Sequence, residues 1–427
     1  MLVVIGIVVF FLGLLFSIAW HELGHMLTAK MFGIKVTQYM VGFGRTLWST
    51  KKGDTEYGIK AIPFGGYIRM IGMFPPKQDE EYGRTASSAP WRVMIEDARE
   101  AAAEEVPPED AHRQFYQRKP WKRIIVMLAG PVMNLILAVG IFTAILMGHG
   151  IAQPTTTVGE VNECVLPGDA QNTAECPPGA PAAPAAAAGF QPGDRIVEFN
   201  GQRYDEWEDL QQGIRDSHGT VPVVVERGGQ EVPLEATLMQ TERPKPNSPS
   251  DYERVGFLGL SPTQPIVKQD IPGVVDTIGG FVTLTAQKVI ELPQRVPDLV
   301  SAIGGEERAE DSPVGIVGAS RLGGEVLSTD QISADGRVMM LFNLLAGVNL
   351  SLFVFNMLPL LPLDGGHVAG ASWESLRKRF AGIFRRPDPG PFDTARLMPL
   401  AYCVSLLFIA YSLLVLVADI VNPVTFF

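Results

Sequence analysis

The chain has 427 residues, a formal net charge of -11 and only 19% charged residues against 46% hydrophobic ones. With a sequence pI near 5.2 it has no basic stripe to neutralise phosphates, which argues against nucleic acid as a partner. A mean hydropathy of +0.15 over a length that allows two or three domains implies strongly apolar segments set between polar ones.

The first predicted element begins with an uncharged run, Met1 to Trp20, which at about 1.5 Å rise per residue nearly spans the hydrocarbon core of a bilayer. No basic region precedes it and no small-residue cleavage site follows it, so a transmembrane helix over 1–30 is expected and a cleaved signal peptide is the competing reading. Glycines then punctuate short β-prone runs between Val41 and Met70, among them Tyr57 to Ile62 and Tyr67 to Ile71. That pattern predicts hairpins, and a membrane-associated β segment is expected over 41–72. Residues 75–121 are charged, with an Ala/Glu-rich helical stretch at Trp91 to Glu105, and read as a cytoplasmic connector. A second apolar run, Ile124 to Met147, predicts a transmembrane helix over 122–148.

Beyond an Ala/Pro-rich loop at Gly179 to Ala188, Pro192-Gly193-Asp194 and Asn200-Gly201 are turn signals that bracket a strand-like Arg195 to Phe199, and Val221 to Glu226 supplies another strand. The stretch 155–261 resembles a bacterial PDZ domain, with Cys164 to Cys176 standing as an insertion. Residues 262–337 carry apolar positions at helical spacing (Ile278, Phe281, Val282, Leu284, Val289) and predict an amphipathic segment on the PDZ-like domain or the outer membrane face. Two more transmembrane helices are expected, over 338–366 and 398–421, separated by a cytoplasmic loop over 367–397.

Four spans fix a topology through the positive-inside rule. Arg113, Arg118, Lys119, Lys122 and Arg123 crowd one loop, and Arg377, Lys378, Arg379, Arg385 and Arg386 crowd another, whereas His149 to Asp194 and the tail after Ile420 have no Lys or Arg. Both basic loops are therefore expected in the cytoplasm, with both termini and the PDZ-like segment outside. In that compartment Cys164 and Cys176 can form a disulfide, two free thiols being the alternative, and Cys403 lies inside the fourth span.

His21-Glu22-Leu23-Gly24-His25 is an H-E-x-x-H pattern, in which imidazoles at i and i+4 share one helical face and can hold one metal ion. Glu22 stands beside them to activate a water. Charged and ionisable groups at the end of an uncharged helix are costly and mark a functional site. A catalytic zinc site takes three protein ligands plus water, so a third ligand is needed. Asp364, in Asn356-Met-Leu-Pro359-Leu-Leu-Pro362-Leu-Asp364-Gly365-Gly366-His367, lies at the end of the third expected span. The first and third spans run in the same direction, so their C-terminal ends lie on one face. Asp364 as a turn residue before two glycines is the plain alternative, and His367 is a lesser candidate ligand.

His21-Glu22-x-x-His25 together with Asn356-x-x-Pro359-x-x-Pro362-Leu-Asp364-Gly365 resembles the site-2 protease family, and the single PDZ-like insert with four spans resembles its bacterial members that cut anti-sigma factors. Ile62-Pro63-Phe64-Gly65-Gly66-Tyr67 resembles the family's membrane-re-entrant β segment, and Gly130-Pro131-Val132-Met133-Asn134 its second-span motif. The resemblance implies a polytopic α-helical membrane protein of the bacterial plasma membrane, with four transmembrane helices, a re-entrant β-hairpin and an extracytoplasmic α+β PDZ-like domain. It implies Zn2+ held by His21, His25 and Asp364 toward the cytoplasmic side, Glu22 as general base and acid, and Asn356 and Asn134 as substrate-binding or supporting contacts. From the residues alone, interhelical hydrogen bonding explains each asparagine equally well. The implied partners are single-span membrane proteins of the anti-sigma-factor kind and the lipid bilayer. A metal transporter or an anchored PDZ scaffold would be the other classes, but the later spans have almost no ionisable residues for a transport path, and a scaffold has no use for Glu22.

Overall fold

A computed structural model describes residues 1–75, 94–97, 99–100, 106–165, 176, 180–245, 248–309 and 311–425. Most of the Trp91 to Glu105 stretch expected to be helical lies outside the described residues. Four helical segments are long and apolar enough to cross a membrane: Leu2–Met31, Pro120–His149, Ala334–Asn356 and Thr394–Val421. The chain divides into two units, one made of Met1–Ile145 with Ile271–Phe427 and the other of Leu146–Asp270.

The first unit is built on helix α1 (Leu2–Met31), strands β1 (Val36–Lys52) and β2 (Thr55–Met70) and helix α2 (Pro120–Thr143), and on helices α3 (Ile271–Glu291), α4 (Val296–Ile303), α5 (Ile316–Ser328), α6 (Ala334–Asn356), α7 (Asp364–Ile383) and α8 (Met398–Val421). Along α1 the apolar residues Val4, Val8, Leu12 and Phe16 recur every fourth position and are exposed, as a lipid-facing stripe requires. Its other face is buried and includes small residues. A Cβ on Gly6 would fall 2.8 Å from Gly324 Cα of α5, and one on Gly24 would fall 2.7 Å from Met133 Cγ of α2, so glycine lets both helices close on α1. Helix α1 ends where Gly33 takes a positive φ and the Ile34 amide donates to the Ala29 carbonyl, satisfying an otherwise orphaned acceptor.

The β segment is more folded than a simple hairpin. Residues 36–41 of β1 pair with 66–70 of β2, their numbers running in opposite directions, and residues 38–41 also pair with 56–59, the numbers rising together. The segment 55–60 in turn pairs with 46–52. Gly42, Gly44 and Gly65, all with positive φ, lie where the chain must bend for one stretch of β1 to be flanked on both sides.

The stretches expected over 338–366, 367–397 and 262–337 differ from the sequence expectation. The third span, expected over 338–366, ends at Asn356, and Asp364 instead opens α7. Pro359 and Pro362 in the intervening segment have no amide hydrogen to continue the helix. The stretch 367–397, expected as a loop, is therefore helical as far as Ile383. Helix α7 is fixed by a buried ion pair between its Glu374 and Arg123 of α2, and Glu374 also accepts from the Phe392 amide at 2.8 Å. Burial alone would raise the Glu374 carboxyl pKa, but the Phe392 amide, Arg123 and Lys378 outweigh it and hold it below the usual range. The stretch 262–337, expected as one amphipathic segment, contains the three helices α3, α4 and α5.

The second unit holds an antiparallel five-stranded sheet in the order Gln202–Arg203, Arg195–Phe199, Gly219–Arg227, Gln230–Lys245, Ser248–Phe257. Val221, Val223 and Val225 alternate into its core with Ile196, Phe199, Ala236 and Leu238, and the helix Trp207–Asp216 adds Trp207, Leu210 and Ile214. Asn200 and Gly201, both with positive φ, form the two-residue turn between the first two strands in chain order. Cys164 and Cys176 are bonded to each other. Asp194 accepts from the Gln191 amide at 2.8 Å and from Arg227 Nε at 2.7 Å.

Candidate metal centre

Three side chains converge near the C-terminal part of α1. His21 Nε2 and His25 Nε2 lie 3.1 Å apart, and Asp364 Oδ2 lies 3.2 Å from the first and 3.3 Å from the second. The two histidines meet because an i, i+4 spacing stacks them on one helical face. Asp364 joins them because it occupies the first turn of α7, directly after the proline-broken segment that follows α6. Close packing there needs glycine: a Cβ on Gly365 would fall 2.7 Å from the Met357 backbone, and one on Gly366 would fall 2.6 Å from the Leu361 amide nitrogen.

The donor set fits a metal ion. His25 Nδ1 is 2.7 Å from the Val126 carbonyl oxygen, which can only accept, so Nδ1 carries the proton and Nε2 presents its lone pair inward. Bonds of about 2.0–2.1 Å to a tetrahedral ion place neighbouring ligands about 3.3–3.4 Å apart. The observed triangle of 3.1, 3.2 and 3.3 Å is close to one face of that tetrahedron. One shared cation satisfies all three donors at once, whereas a single proton can bridge only two. Among the described residues, His21, His25 and Asp364 are the group whose donor atoms lie within 4.8 Å of one another in the manner a metal requires.

Helix α2 lies across this triangle. A Cβ on Gly130 would fall 2.6 Å from His25 Cδ2 and 2.7 Å from His21 Nε2, and closer still to His25 Nε2, so any side chain there collides with the imidazoles. Asn134, wholly buried one turn further on, places Nδ2 3.3 Å from His21 Nδ1. Glu22 is flanked by β2: its carboxylate accepts from the Ile68 amide, and a Cβ on Gly66 would come within 3.1 Å of its Cγ. Asn356 is placed differently, with Nδ2 donating to Leu352 O of its own helix at 3.0 Å. His367 is not in the donor cluster.

Several contributors were not legible in the chain as ligands or supports. The Val126 carbonyl is a backbone group with no sequence signal at all. Gly66 and Gly130 belong to quoted motifs, but only the fold shows what approaches each. Arg123 and Glu374, which fix α7 to α2, look in the sequence like members of solvated charge runs.

The profile of peptidase family M50 matches residues 9–384. The chain is 34% identical to zinc metalloprotease Rip1 of Mycobacterium tuberculosis over 438 aligned residues, covering 100% of both chains. It is 34% identical to Rip1 of Mycolicibacterium smegmatis, covering 99% of each, and 29% identical to metalloprotease MmpA of Caulobacter vibrioides, covering 88% of this chain and 89% of MmpA. With the H-E-x-x-H helix, the convergent aspartate and a profile match over most of its length, the chain belongs to peptidase family M50.

Proposed function

We propose that this protein is an intramembrane zinc endopeptidase that cuts a peptide bond within or beside the span of a single-pass membrane protein, anti-sigma factors among them. The observation that carries the reading is the triangle of His21, His25 and Asp364 donors, 3.1–3.3 Å on each side, with the two histidines on a helix apolar enough to cross a membrane. The cofactor is zinc, the metal in the name of the Rip1 relatives, with these three residues as its ligands. When bound, zinc supplies a Lewis acid for the scissile carbonyl and lowers the pKa of a water toward about 7.

Glu22, held by the Ile68 amide, takes the proton of the attacking water and returns it to the leaving amide nitrogen. A membrane helix shields its peptide bonds by satisfying them internally, so the substrate must unwind before it is cut. Asn356 would hold the unwound backbone, and the β1–β2 sheet would offer an edge for it to pair with. Residues 155–261, within the Leu146–Asp270 unit, are read as an extracytoplasmic PDZ-like domain. Both basic loops, the Glu22 end of α1 and Asp364 are read as facing the cytoplasm.

The test uses full-length protein in detergent or nanodiscs. One zinc per chain is expected, with cleavage of a single-span peptide that chelation abolishes and added zinc restores. Full cleavage by metal-free protein would overturn the metal assignment. A zinc-loaded protein that cuts soluble peptides but no single-span substrate would overturn the intramembrane one.

A further inference from the structure

We infer that Asn134 is a positioning residue for the metal, the hydrogen-bond acceptor that fixes the ring of His21, and not a substrate contact. The inference rests on the metal reading above and concerns how this chain prepares its first ligand.

Both imidazoles direct Nε2 at one point, where the two nitrogens and Asp364 Oδ2 lie within 3.3 Å of each other. Each Nε2 must therefore present a lone pair, and each Nδ1 must carry the ring proton. A buried ring N–H needs an acceptor, and second-sphere acceptors of this kind set the tautomer and orientation of a ligand. His25 has one in the Val126 carbonyl at 2.7 Å. His21 Nδ1 has Asn134 at 3.3 Å, but with the amide nitrogen toward it, a donor facing a donor. The Asn134 carbonyl oxygen meanwhile is buried without a partner.

Rotating the amide by 180° resolves the conflict. Oxygen and nitrogen of an asparagine are nearly equivalent in shape, and their assignment follows from the hydrogen-bond network. With Oδ1 toward His21, the ring N–H gains its acceptor, and the amide Nδ2 takes the buried position that Oδ1 held.

The spacing on α2 supports the same assignment. Val126, Gly130 and Asn134 are four residues apart and share one face of the helix. The first offers a backbone acceptor to His25, the second removes every side-chain atom where the imidazoles pass, and the third offers a side-chain acceptor to His21. Trp20 Nε1 donates to the Met133 carbonyl at 2.9 Å, which ties α1 to α2 beside this contact. Interhelical packing alone gives no reason for an acceptor at the third position.

Zinc affinity, measured by equilibrium competition with a chelator on the full-length protein in detergent, tests the inference without any cleavage assay. Asn134→Leu keeps the volume and removes the acceptor, and is expected to weaken zinc binding by about 10-fold to 100-fold. Asn134→Asp keeps an acceptor oxygen and is expected to bind at least as tightly as the parent. The visible spectrum of the Co2+-substituted protein should change for Asn134→Leu and stay close to the parent's for Asn134→Asp. Parental zinc affinity in Asn134→Leu would overturn the inference, as would a raised KM with unchanged zinc affinity, the mark of a substrate contact. Equal weakening in both variants would also overturn it, since the acceptor is retained in one of them. A parent protein that binds no metal would overturn the metal reading itself, which separates the two failures.

Discussion

The surroundings of the metal triangle and the sheet of the Leu146–Asp270 unit are built on opposite plans. In the sheet, Val221, Val223 and Val225 enter one core by simple alternation, and the buried Asp194 finds its partners at Gln191 and Arg227, close in sequence or on a neighbouring strand. At the metal triangle, His21, Ile68, Val126, Asn134 and Asp364 come from four separate stretches of chain, and two of the contributions are backbone groups. The first plan is redundant, so losing one member costs a share of the stability. The second has a single member for each duty, so losing one removes a duty.

The largest expected effect is at Gly130. Alanine there places a carbon where the imidazoles pass, and neither α1 nor α2 can give way because Gly24 already holds them at their closest approach. Gly130→Ala should lose zinc and activity together, measured as metal content and peptide cleavage, while the sheet of the other unit retains its hydrogen-exchange protection. A variant with parental zinc would show that the helices are not fixed as tightly as this contact demands.

Glu22 and Asp364 separate chemistry from binding. Glu22→Gln keeps the Ile68 contact but cannot accept a proton, so turnover should fall by ~10²-fold to ~10⁴-fold with zinc retained. Asp364→Ala leaves only two imidazoles and should lose both metal and activity. The reverse order of effects would assign the third ligand to another residue, with His367 the first to examine.

Glu374→Ala asks whether α7 needs its buried ion pair. Removing one partner of a buried pair costs about 3–5 kcal/mol, because Arg123 is left uncompensated. The expected signature is a lower melting temperature and weaker zinc binding through a loosened Asp364, with substrate KM little changed. In the sheet, Ile196→Ala should cost about 2–5 kcal/mol of that unit's stability and leave zinc affinity at the parental value.

The same contrast governs what the sequence discloses. Uncharged runs and H-E-x-x-H are local patterns, and the four apolar helices and the His21–His25 pair are where those patterns put them. The Arg195–Phe199 strand and its Asn200-Gly201 turn are legible for the same reason. Asp364 was reachable because two parallel spans bring their ends to one face. The break after Asn356 is masked by hydropathy, because the apolar run continues past Pro359 and Pro362 to Leu363. The double pairing of residues 38–41 was hidden, since periodicity gives strands but not how many neighbours a strand has. Nothing local marks the Val126 carbonyl, or the Arg308–Asp419 pair that fixes the end of α8 beside the first turn of α5.

Asp194 offers the smallest and most local test of the redundant plan. Its side chain is almost wholly buried, and two nitrogens of Arg227 and the Gln191 amide donate to it. The hydrogen bonds from Arg227 come first among the causes that hold its carboxyl below the usual carboxylate range. A depressed folded-state pKa stabilises the unit above the unfolded value of about 3.9, and that contribution is lost as pH falls below it through the folded value. Hydrogen exchange of residues 195–227 in the full-length protein should therefore quicken as pH drops through this window, after correction for the intrinsic rate. Asn at this position keeps an acceptor oxygen but has no charge to lose. Asp194→Asn should thus lower protection modestly near neutral pH and remove most of the acid-induced change. An unchanged acid response in that variant would mean that other carboxylates carry the pH dependence and that Arg227 serves Asp194 only as a local hydrogen-bond donor.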